Sequence, residues 1–514
     1  MSPKSKLRAP PPPAETLDTR SSSSSDDGEE LVMAVRHSEG EESDAEEQDG
    51  LLRSEIDERE ERQTWVLEHS LGPHRRNGRI TIRGFSLPKP LFYLLCLLPT
   101  LIILNLIFSH SISSSPRYPT LSNGTHAYHP TTLLISLDGF RPSYFSSHAA
   151  LLPNLHALAA HPAGLRAESM QPVFPSLTFP NHWALMTGLY PEEHGIVAND
   201  FWDPDFRGGE GGQFVYTDES KSWDGEWWKG EPVWSVVEKM GRKAANLAPS
   251  PKVDQILQWL DLPLPHRPEF IASYFPEIDQ AGHAHGPDSG EVGEALGLLD
   301  GMVGELVGGL EGRNLGGVVD VVIVSDHGMT RTSNDRLIFL DDILGEGMKD
   351  IEHKDGWPSV GIRFHPSLPP STLQAHITTL QTAAARSNGT FGVYTRESMP
   401  ERWHFEKSGR IAGVWVVPTL GWGVTDHHAD NIFPDMQAIF FTRGPLGRAL
   451  RESGVGLVDG GGGGGSGGGE EGVPVLQSFK NLEIFSLCTK LLGLRDVEPG
   501  HNGTEGFWER WLVV

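Results

Sequence analysis

The stretch 131-TTLLISLDGF-140 decides the fold prediction, because seven mostly apolar or β-branched residues lead directly into an acidic turn. A run such as Thr131–Leu137 is typical of a strand that is covered on both faces of a sheet. Three further runs have the same character: Phe270–Phe275, 318–325 and 437–442. Residues 290–310 carry apolar side chains at helical spacing. This alternation predicts an α/β domain with a mostly parallel central sheet and helices on both faces.

Acidic residues follow three of these strands. Asp138 comes directly after the first strand, and Asp326-His327 directly follows the third. Asp279 lies just beyond the second strand, with His283 four residues later. Ligands of open α/β sheets bind beyond the carboxyl ends of the strands, so these side chains are expected to meet at one edge. Each pair alone could be a cap or an ion pair, but their repetition favours a metal site for Zn²⁺, with Mn²⁺ or Fe as alternatives.

Two further segments extend this prediction. The segment 426-DHHADN-431 precedes the last strand and could complete a second metal site. The segment 170–188 contains two hydroxyls, Ser176 and Thr178, just before a proline and an asparagine at which a helix could begin. A hydroxyl at a helix N-terminus beside bound metal is a candidate nucleophile, because the metal lowers its pKa and the helix end favours anions. Spacing alone does not separate the two hydroxyls, and Thr178 could simply cap the helix.

Composition limits the classes of protein that fit. The 514 residues include 42 Lys and Arg against 68 Asp and Glu, and the net charge of −26 argues against a protein that binds a nucleic-acid backbone. Two cysteines exclude a disulfide-rich scaffold. The acidic segment 1–86 has few apolar residues and predicts a disordered cytosolic tail. The glycine-rich stretch 459–472 predicts a flexible surface loop, because it lacks the lysine of a phosphate-binding loop.

Residues 91–108 form an apolar stretch of 18 residues without a charged side chain, LFYLLCLLPTLIILNLIF. A helix that crosses a bilayer needs about 20 apolar residues, so we predict one transmembrane anchor over 87–108, with a buried core helix as the alternative. Five basic residues lie in 71–90 and one lies in 109–128, which predicts a cytosolic N-terminus and a single-pass type II protein.

The predicted topology places a linker over 109–128 and the large domain over 129–510 in the lumen, the vacuole or outside the cell. Three Asn-Gly-Thr sequons follow the anchor and none precedes it: Asn123, Asn388 and Asn502. Glycosylation acceptors function only on the lumenal side, so their placement agrees with the charge asymmetry.

These stretches together resemble the ecto-nucleotide pyrophosphatase/phosphodiesterase family of the alkaline phosphatase superfamily, in its fungal membrane-anchored form. The resemblance covers about residues 130–508 and implies an alkaline phosphatase-like fold. The matching stretches are LISLDGFRPSYF, PSLTFPNHWALMTGLYPEEHGIVAND, ASYFPEIDQAGHAHGP, VVIVSDHGM, HHADNIFPDMQAIFFTRGP, FKNLEIFSLCTKLLGL and HNGT.

The resemblance implies a phosphodiesterase with two zinc ions, in which Thr178 is the nucleophile and Asn199 contacts a phosphate oxygen. Phe179 and Tyr274 would stack on the nucleobase of a nucleotide. The implied zinc ligands form two sets, Asp138, Thr178, Asp326 and His327 in one, and Asp279, His283 and His427 in the other.

The chain departs from the family pattern at three places. Leu177 stands where many members have Lys, and His428 stands where many have Gly, so either His427 or His428 could be the ligand. The segment 244–253 is shorter than in relatives.

The implied function is hydrolysis of nucleoside triphosphates and related 5′-nucleotide phosphodiesters to nucleoside 5′-monophosphates through a phosphothreonine. Two alternatives stay open. One is a phospholipid-headgroup phosphodiesterase, and the other is a catalytically impaired, membrane-anchored binding protein, which the shortened 244–253 segment favours. No protein partner and no binding of duplex nucleic acid are expected.

Overall fold

A computed structural model describes residues 79–82, 85–88, 97, 119–247, 252–424, 434–459, 473–494 and 497–512. The predictions for most of the tail, most of the anchor, the segment 426–431 and most of the glycine-rich loop fall outside these residues and stay predictions. None of the helices in the described ranges is both long enough and apolar enough for a membrane crossing.

The described residues contain twenty strands. They are β1 (Arg79–Ile82), β2 (Phe85–Pro88), β3 (Leu121–Ser122), β4 (Ala127–Tyr128), β5 (Thr131–Leu137), β6 (Gly164–Arg166), β7 (Met170–Gln171), β8 (Asp200–Asp203), β9 (Gly212–Val215), β10 (Ala244–Leu247), β11 (Phe270–Phe275), β12 (Val319–Val324), β13 (Ile351–Asp355), β14 (Val360–Phe364), β15 (Phe391–Thr395), β16 (Val414–Pro418), β17 (Phe440–Arg443), β18 (Leu457–Asp459), β19 (Pro474–Leu476) and β20 (Phe479–Lys480).

The same residues contain fourteen α-helices. They are α1 (Pro142–Ser147), α2 (Pro153–Ala160), α3 (Thr178–Thr187), α4 (Pro191–His194), α5 (Phe206–Gly209), α6 (Glu219–Ser222), α7 (Val233–Lys239), α8 (Lys252–Leu260), α9 (Glu277–His285), α10 (Gly290–Gly312), α11 (Leu340–Leu344), α12 (Pro370–Arg386), α13 (Pro445–Ser453) and α14 (Glu483–Leu491).

The central sheet has six strands in the order β10-β11-β5-β12-β17-β6. The four strands from β10 to β12 are parallel to one another, whereas β17 is antiparallel to both of its neighbours. The prediction of an α/β fold with a mostly parallel sheet is therefore confirmed, with β17 making the sheet mixed. An apolar run such as 437–442 predicts a buried strand but carries no information about its direction.

The central strands are covered on both faces, as their near-continuous apolar runs predict. Leu134 and Val322 point into one apolar cluster, and their neighbours Leu133 and Ile323 point into the other. Successive side chains of a strand alternate between faces, so each strand supplies both clusters. Helices α3, α7, α13 and α14 cover the first face, and α2, α8 and α10 cover the second.

The long helix α10 shows how local sequence sets these elements. Its apolar face, from Val292 to Leu310, is buried in the second cluster. Ser289 caps the helix before Gly290, and its hydroxyl oxygen accepts a hydrogen bond from the backbone N–H of Val292 at 3.3 Å. A serine in this position satisfies one of the free N–H groups of a first turn. The predicted helix over 290–310 is therefore confirmed and extends to Gly312.

A second sheet lies in the segment between β12 and β17. Its four antiparallel strands have the order β13-β14-β16-β15. Leu344 and Leu380, from α11 and α12, pack against Val416 of β16 in a separate apolar cluster. No strand of this sheet was predicted from the sequence, and the pairing of β14 and β15 with β16 joins segments that are distant along the chain.

Two local features differ from the sequence expectations. Helix α3 begins at Thr178, two residues before the expected proline, so the candidate nucleophile is its first residue. Strands β1 and β2 pair as an antiparallel hairpin over the last part of the predicted disordered tail and the first two residues, 87 and 88, of the predicted anchor.

Candidate active site

The carboxyl ends of three adjacent parallel strands bring the predicted acidic residues together. Asp138 directly follows β5, and its backbone N–H donates to the carbonyl of Phe275, the last residue of β11, at 2.9 Å. Asp279 lies in the first turn of α9, which follows β11. Asp326 and His327 follow β12, from which only Ser325 separates them. Because β5 lies between β11 and β12, all of these residues lie at one edge of the sheet.

The distances between these side chains are short. The Nε2 atom of His327 lies 3.1 Å from Oδ2 of Asp326 and 3.7 Å from Oδ1 of Asp138. It also lies 3.4 Å from the hydroxyl oxygen of Thr178. One ligand atom from each of Asp138, Asp279 and His327 falls within a group no wider than 4.8 Å. The group contains Asp138 and His327 from one implied zinc site and Asp279 from the other, so the two sites lie side by side.

The protonation of His327 follows from its hydrogen bond to the backbone. Its Nδ1 atom lies 2.8 Å from the carbonyl oxygen of Gly328, which can only accept a hydrogen bond, so Nδ1 carries a proton. In the neutral ring, Nε2 then presents its lone pair to the oxygens of Asp138, Asp326 and Thr178. A metal-binding histidine has this arrangement, with one nitrogen held by a carbonyl and the other directed at the cation.

Three carboxylate oxygens at this edge are buried and make no hydrogen bond within the described residues: Oδ1 of Asp138, Oδ1 of Asp279 and Oδ2 of Asp326. Burial and the neighbouring charges of Asp326 and Asp279 raise the pKa of Asp138 well above its ordinary value. Buried carboxylates are ordinarily paired or coordinate a metal. These oxygens and the imidazole nitrogen of His327 therefore fit a divalent cation, because the oxygens lack hydrogen bonds within the described residues and the nitrogen can act as a ligand.

Among the described residues, His283 is the imidazole that lies within ion-pair distance of Asp279. Its Nε2 atom lies 3.4 Å from Oδ2 of Asp279, one helical turn earlier in α9. Burial would raise the pKa of Asp279, but the hydrogen bond from His283 and the neighbouring imidazoles lower it overall. The third residue of this predicted site, His427, and its alternative His428 lie outside the described residues.

Thr178 is half-buried at the first position of α3. The residue before it, Leu177, provides no side-chain cap for the first turn. Instead Oδ1 of Asn199 accepts a hydrogen bond from the backbone N–H of Phe179 at 3.1 Å. Because the amide oxygen is used in this way, the NH₂ group of Asn199 is its remaining polar group and can donate to an anion.

His182 is a site residue to which the sequence analysis gave no role. Its Nδ1 atom lies 2.8 Å from the carbonyl oxygen of Thr178 and 3.6 Å from Oδ2 of Asp326. Its Nε2 atom lies 2.9 Å from the hydroxyl of Ser136 on β5. Burial lowers the pKa of His182 despite the nearby charge of Asp326, so the neutral ring donates from Nδ1 and accepts at Nε2. The spacing of four residues from Thr178 was the signal that could have identified it.

An aromatic cluster surrounds Phe179. This ring is 7% exposed, and its centroid lies 5.3 Å from that of Tyr216, which is 45% exposed. Phe214 and Trp228 pack on it at 6.1 and 6.2 Å. Phe179 therefore lies mostly in packing contacts, and Tyr216 presents the accessible aromatic surface beside it. The sequence analysis did not identify Tyr216.

Tyr274 has a different environment from Phe179. Its hydroxyl donates a hydrogen bond to Oδ2 of Asp138, and burial together with that carboxylate raises the pKa of Tyr274 well above its ordinary value. Its ring packs edge-on against His182 at 4.9 Å. The predicted contact of Tyr274 with a nucleobase stays a prediction.

The three sequons differ in accessibility. Asn388 is exposed at the end of α12. Asn123 is 8% exposed, and its NH₂ group donates to the carbonyl of Arg313 at 2.8 Å. Asn502 is half-buried, with its NH₂ group 2.9 Å from a carboxylate oxygen of Glu193.

Sequence comparisons identify relatives of this chain. A sequence model described as type I phosphodiesterase / nucleotide pyrophosphatase matches residues 132–252 and 248–445. The chain is 32% identical to an uncharacterised pyrophosphatase/phosphodiesterase of Schizosaccharomyces pombe, over 75% of this chain and 81% of that protein.

Two animal proteins are also similar. The chain is 32% identical to human ectonucleotide pyrophosphatase/phosphodiesterase family member 1, over 73% of this chain and 41% of that protein. It is 30% identical to venom phosphodiesterase 2 of Crotalus adamanteus, over 73% of this chain and 46% of that protein. The chain thus spans less than half the length of these animal relatives.

Proposed function

The chain belongs to the type I phosphodiesterase / nucleotide pyrophosphatase family, a family of hydrolases, and we propose that it hydrolyses nucleoside triphosphates and related 5′-nucleotide phosphodiesters to nucleoside 5′-monophosphates. The observation that carries this proposal is the position of Thr178. Its hydroxyl lies at the start of a helix and 3.4 Å from His327, beside three buried carboxylates with unsatisfied oxygens. The names of the similar proteins support the substrate class.

Two divalent cations, Zn²⁺ with Mn²⁺ as the alternative, would complete this site. Asp138, Thr178, Asp326 and His327 would hold one, and Asp279, His283 and His427 the other. The cations would supply positive charge for the phosphate and lower the pKa of an attacking hydroxyl.

The protein residues supply the nucleophile and the orientation. Thr178 releases its hydroxyl proton to solvent and its oxygen forms a bond to phosphorus, while the bond to the leaving oxygen breaks and that oxygen departs with the electron pair. The resulting phosphothreonine carries the nucleoside. Water then attacks phosphorus and the bond to the oxygen of Thr178 breaks. That oxygen takes up one proton of the water, the other proton passes to solvent, and the nucleoside 5′-monophosphate leaves.

Two protein groups favour the negative charge of the substrate. The N-terminal end of α3 favours an anion at Thr178 through the helix dipole, although its N–H groups are largely used: that of Phe179 donates to Asn199, and Pro180 has none. The NH₂ group of Asn199 can donate to a phosphate oxygen, because its carbonyl oxygen is held by the backbone N–H of Phe179. His182 orients Thr178 through its carbonyl and does not need to contact the substrate.

Replacement of the nucleophile tests the proposal. We expect Thr178→Ala to lower kcat for the p-nitrophenyl ester of thymidine 5′-monophosphate by about 10³-fold or more, as loss of a catalytic nucleophile does elsewhere. Ser176→Ala is the matched control, because that hydroxyl is also buried and near the start of α3. Equal losses in the two variants would contradict the role of Thr178. The products of ATP are a second readout: AMP with pyrophosphate supports the proposal, and ADP with phosphate does not.

The shorter segment keeps a second candidate function open. The two matches to the family model overlap at residues 248–252, within the stretch that is expected to be shortened. A protein that binds nucleotides without turnover would be saturable by AMP but inactive with cations present. Turnover of phospholipid esters alone would instead indicate the headgroup phosphodiesterase.

We also infer that the enzyme is a single-pass type II membrane protein with its catalytic domain in a lumenal, vacuolar or extracellular compartment. The charge asymmetry around the apolar stretch and the position of the sequons support this inference. Glycosylation tests it, because exposed Asn388 should carry a glycan more fully than buried Asn123. Thr390→Ala should therefore remove one endoglycosidase-sensitive mobility step, and Thr125→Ala should have a smaller effect. Absence of any glycan would contradict the topology.

A further inference from the structure

The turn between β13 and β14, residues 356–359, is a part of the second sheet that reaches the candidate active site. It carries Trp357, whose ring centroid lies 6.5 Å from that of His283 at an interplanar angle of 42°. Trp357 is half-buried, so part of this residue is accessible to solvent. No role for this residue follows from the sequence motifs.

Hydrogen bonds hold this turn against the strand that follows Asn199. The backbone N–H of Gly356 donates to the carbonyl of Asp200 at 2.8 Å. A side chain at Gly356 would meet Ala198, because a Cβ atom there would lie 3.3 Å from the Ala198 Cβ atom. The turn therefore packs closely beside the segment that carries Asn199.

The start of the turn is fixed by a buried carboxylate. Asp355 accepts a hydrogen bond from the backbone N–H of Trp202 at 2.9 Å and another from Nε of Arg363 at 2.7 Å. The ring of His353 stacks on Trp202 with centroids 4.0 Å apart. Because β13 is joined to β8 in this way, the position of Trp357 is set by packing and by buried hydrogen bonds.

The end of the turn makes a further contact. The carbonyl of Pro358 accepts a hydrogen bond from the backbone N–H of Val424 at 3.2 Å. The turn is thus held on both sides of Trp357, by Asp200 before it and by Val424 after it. A rigid aromatic side chain costs little ordering entropy when it contacts a ligand, which is why such residues often determine binding.

Thr178 and His283 lie beside different members of the ligand group. Thr178 contacts His327, whereas His283 contacts Asp279 at the other end of the group. In phosphoryl transfer the attacking and leaving oxygens lie roughly in line on opposite sides of phosphorus. A substrate attacked by Thr178 therefore directs its leaving group away from the Thr178 oxygen. With phosphorus bound between the two pairs, that direction leads toward Asp279 and His283, beside which Trp357 lies.

We propose that Trp357 is a specificity-determining residue that contacts the leaving group and favours leaving groups with a planar aromatic ring, such as an aryl alcohol or a second nucleoside, over pyrophosphate. The inference rests on the proposed function. An indole stacks favourably on another ring, whereas it offers little to a highly charged pyrophosphate.

Two substrates with the same nucleoside test this inference in the full chain: the p-nitrophenyl ester of thymidine 5′-monophosphate and thymidine triphosphate. We expect Trp357→Ala to lower kcat/KM about 3- to 10-fold for the ester, the range that one aromatic contact supports. The value for thymidine triphosphate should stay within about twofold, as should inhibition by thymidine 5′-monophosphate. Trp357→Phe should restore most of the activity with the ester.

Trp259→Ala is the matched control, because Trp259 is also half-buried but packs in the apolar cluster on the helix α8 side of the sheet. An equal loss for both substrates in Trp357→Ala, or a weaker inhibition by thymidine 5′-monophosphate, would overturn the inference and leave the proposed function intact. An unchanged kcat/KM for the ester would do the same. A wild-type protein that hydrolyses neither substrate would instead refute the proposed function on which the inference depends.

Discussion

Asp203 and Asp138 are both buried carboxylates, 4% and 1% exposed, but the protein itself neutralises only the first. Asp203 accepts a hydrogen bond from Nε of Arg410 at 2.6 Å and another from the backbone N–H of Asp205 at 3.0 Å. The other donors of Arg410 bind the backbone carbonyls of Gly195, Trp227 and Glu226.

Asp138 has a different set of neighbours. One oxygen accepts from Tyr274, and the other makes no hydrogen bond within the described part of the chain. Burial is the largest cause of the raised pKa of Asp138, and the negative charges of the neighbouring Asp326 and Asp279 raise it further. The first carboxylate belongs to a completed structural network, whereas the second belongs to a group that needs a cation. Burial of an acidic residue therefore indicates a functional site only where its hydrogen bonds are incomplete.

The largest expected effect is on the completed network. Asp203→Asn leaves the guanidinium of Arg410 buried without its counter-charge, and loss of one partner of a buried ion pair costs about 3–5 kcal/mol. Thermal and denaturant unfolding of the purified protein measure this loss. A change in the free energy of unfolding below about 1 kcal/mol would mean that Asp203 is not part of a completed buried ion pair.

Cation binding should stabilise the other region. Protein stripped with a chelator should gain about 2.7 kcal/mol when free Zn²⁺ reaches a hundred times its dissociation constant. Metal content and the shift in Tm measure the effect. Asp326→Asn should reduce both, whereas Asp203→Asn should leave the cation-dependent shift in place.

Replacement of Asp by Asn should change the free energy of unfolding in opposite directions in the two regions. In cation-free protein, Asp138→Asn removes one of several adjacent negative charges, so we expect a gain in the free energy of unfolding of about 1–3 kcal/mol, the range for relief of an unsatisfied buried group. Asp203→Asn is the comparison. A loss of stability in Asp138→Asn without cations would show that the carboxylates at the sheet edge have protein partners after all.

Asp320 provides a smaller test that depends on pH. Burial raises its pKa to about 7, although its Oδ1 accepts a hydrogen bond from the backbone N–H of Leu446 at 2.6 Å. Between the ordinary value of 3.8 and about 7, the folded state binds more protons than the unfolded state. The contribution of Asp320 to stability therefore falls as the pH rises through this window, by at most about 1.4 kcal/mol per pH unit.

Replacement of this carboxyl isolates its contribution. The Tm of Asp320→Asn relative to the wild type should rise from pH 5 to pH 7 and change little above that. A difference in Tm that is independent of pH would contradict the raised pKa.

Local sequence predicted the parts of the site that depend on a single strand and the residues after it. The apolar runs that became β5, β11 and β12 were recognisable without their neighbours, because a strand buried on both faces needs apolar side chains in nearly every position. Parallel strands then bring their carboxyl ends to one edge, which is why Asp138, Asp279 and Asp326 could be expected together. The helix start at Thr178 was predicted to within two residues.

The remaining features depend on contacts between distant segments. The direction of β17 and the whole second sheet are set by strand pairing, which an apolar run does not encode. Three contacts in the site join residues at least 20 positions apart. They are the hydrogen bond from the N–H of Phe179 to the Asn199 oxygen, the hydrogen bond from Tyr274 to Asp138, and the packing of Tyr216 on Phe179.

The sequence by itself therefore determined the fold class, the family and the acidic edge of the sheet, because these follow from patterns within short segments. Only the tertiary structure decided which oxygens at that edge make no hydrogen bond to the described residues and which aromatic rings surround it. Hydrogen-bond satisfaction and side-chain packing are properties of the folded arrangement. The turn that carries Trp357 likewise reaches the site only because β13 pairs with β14 and because that hairpin contacts β8.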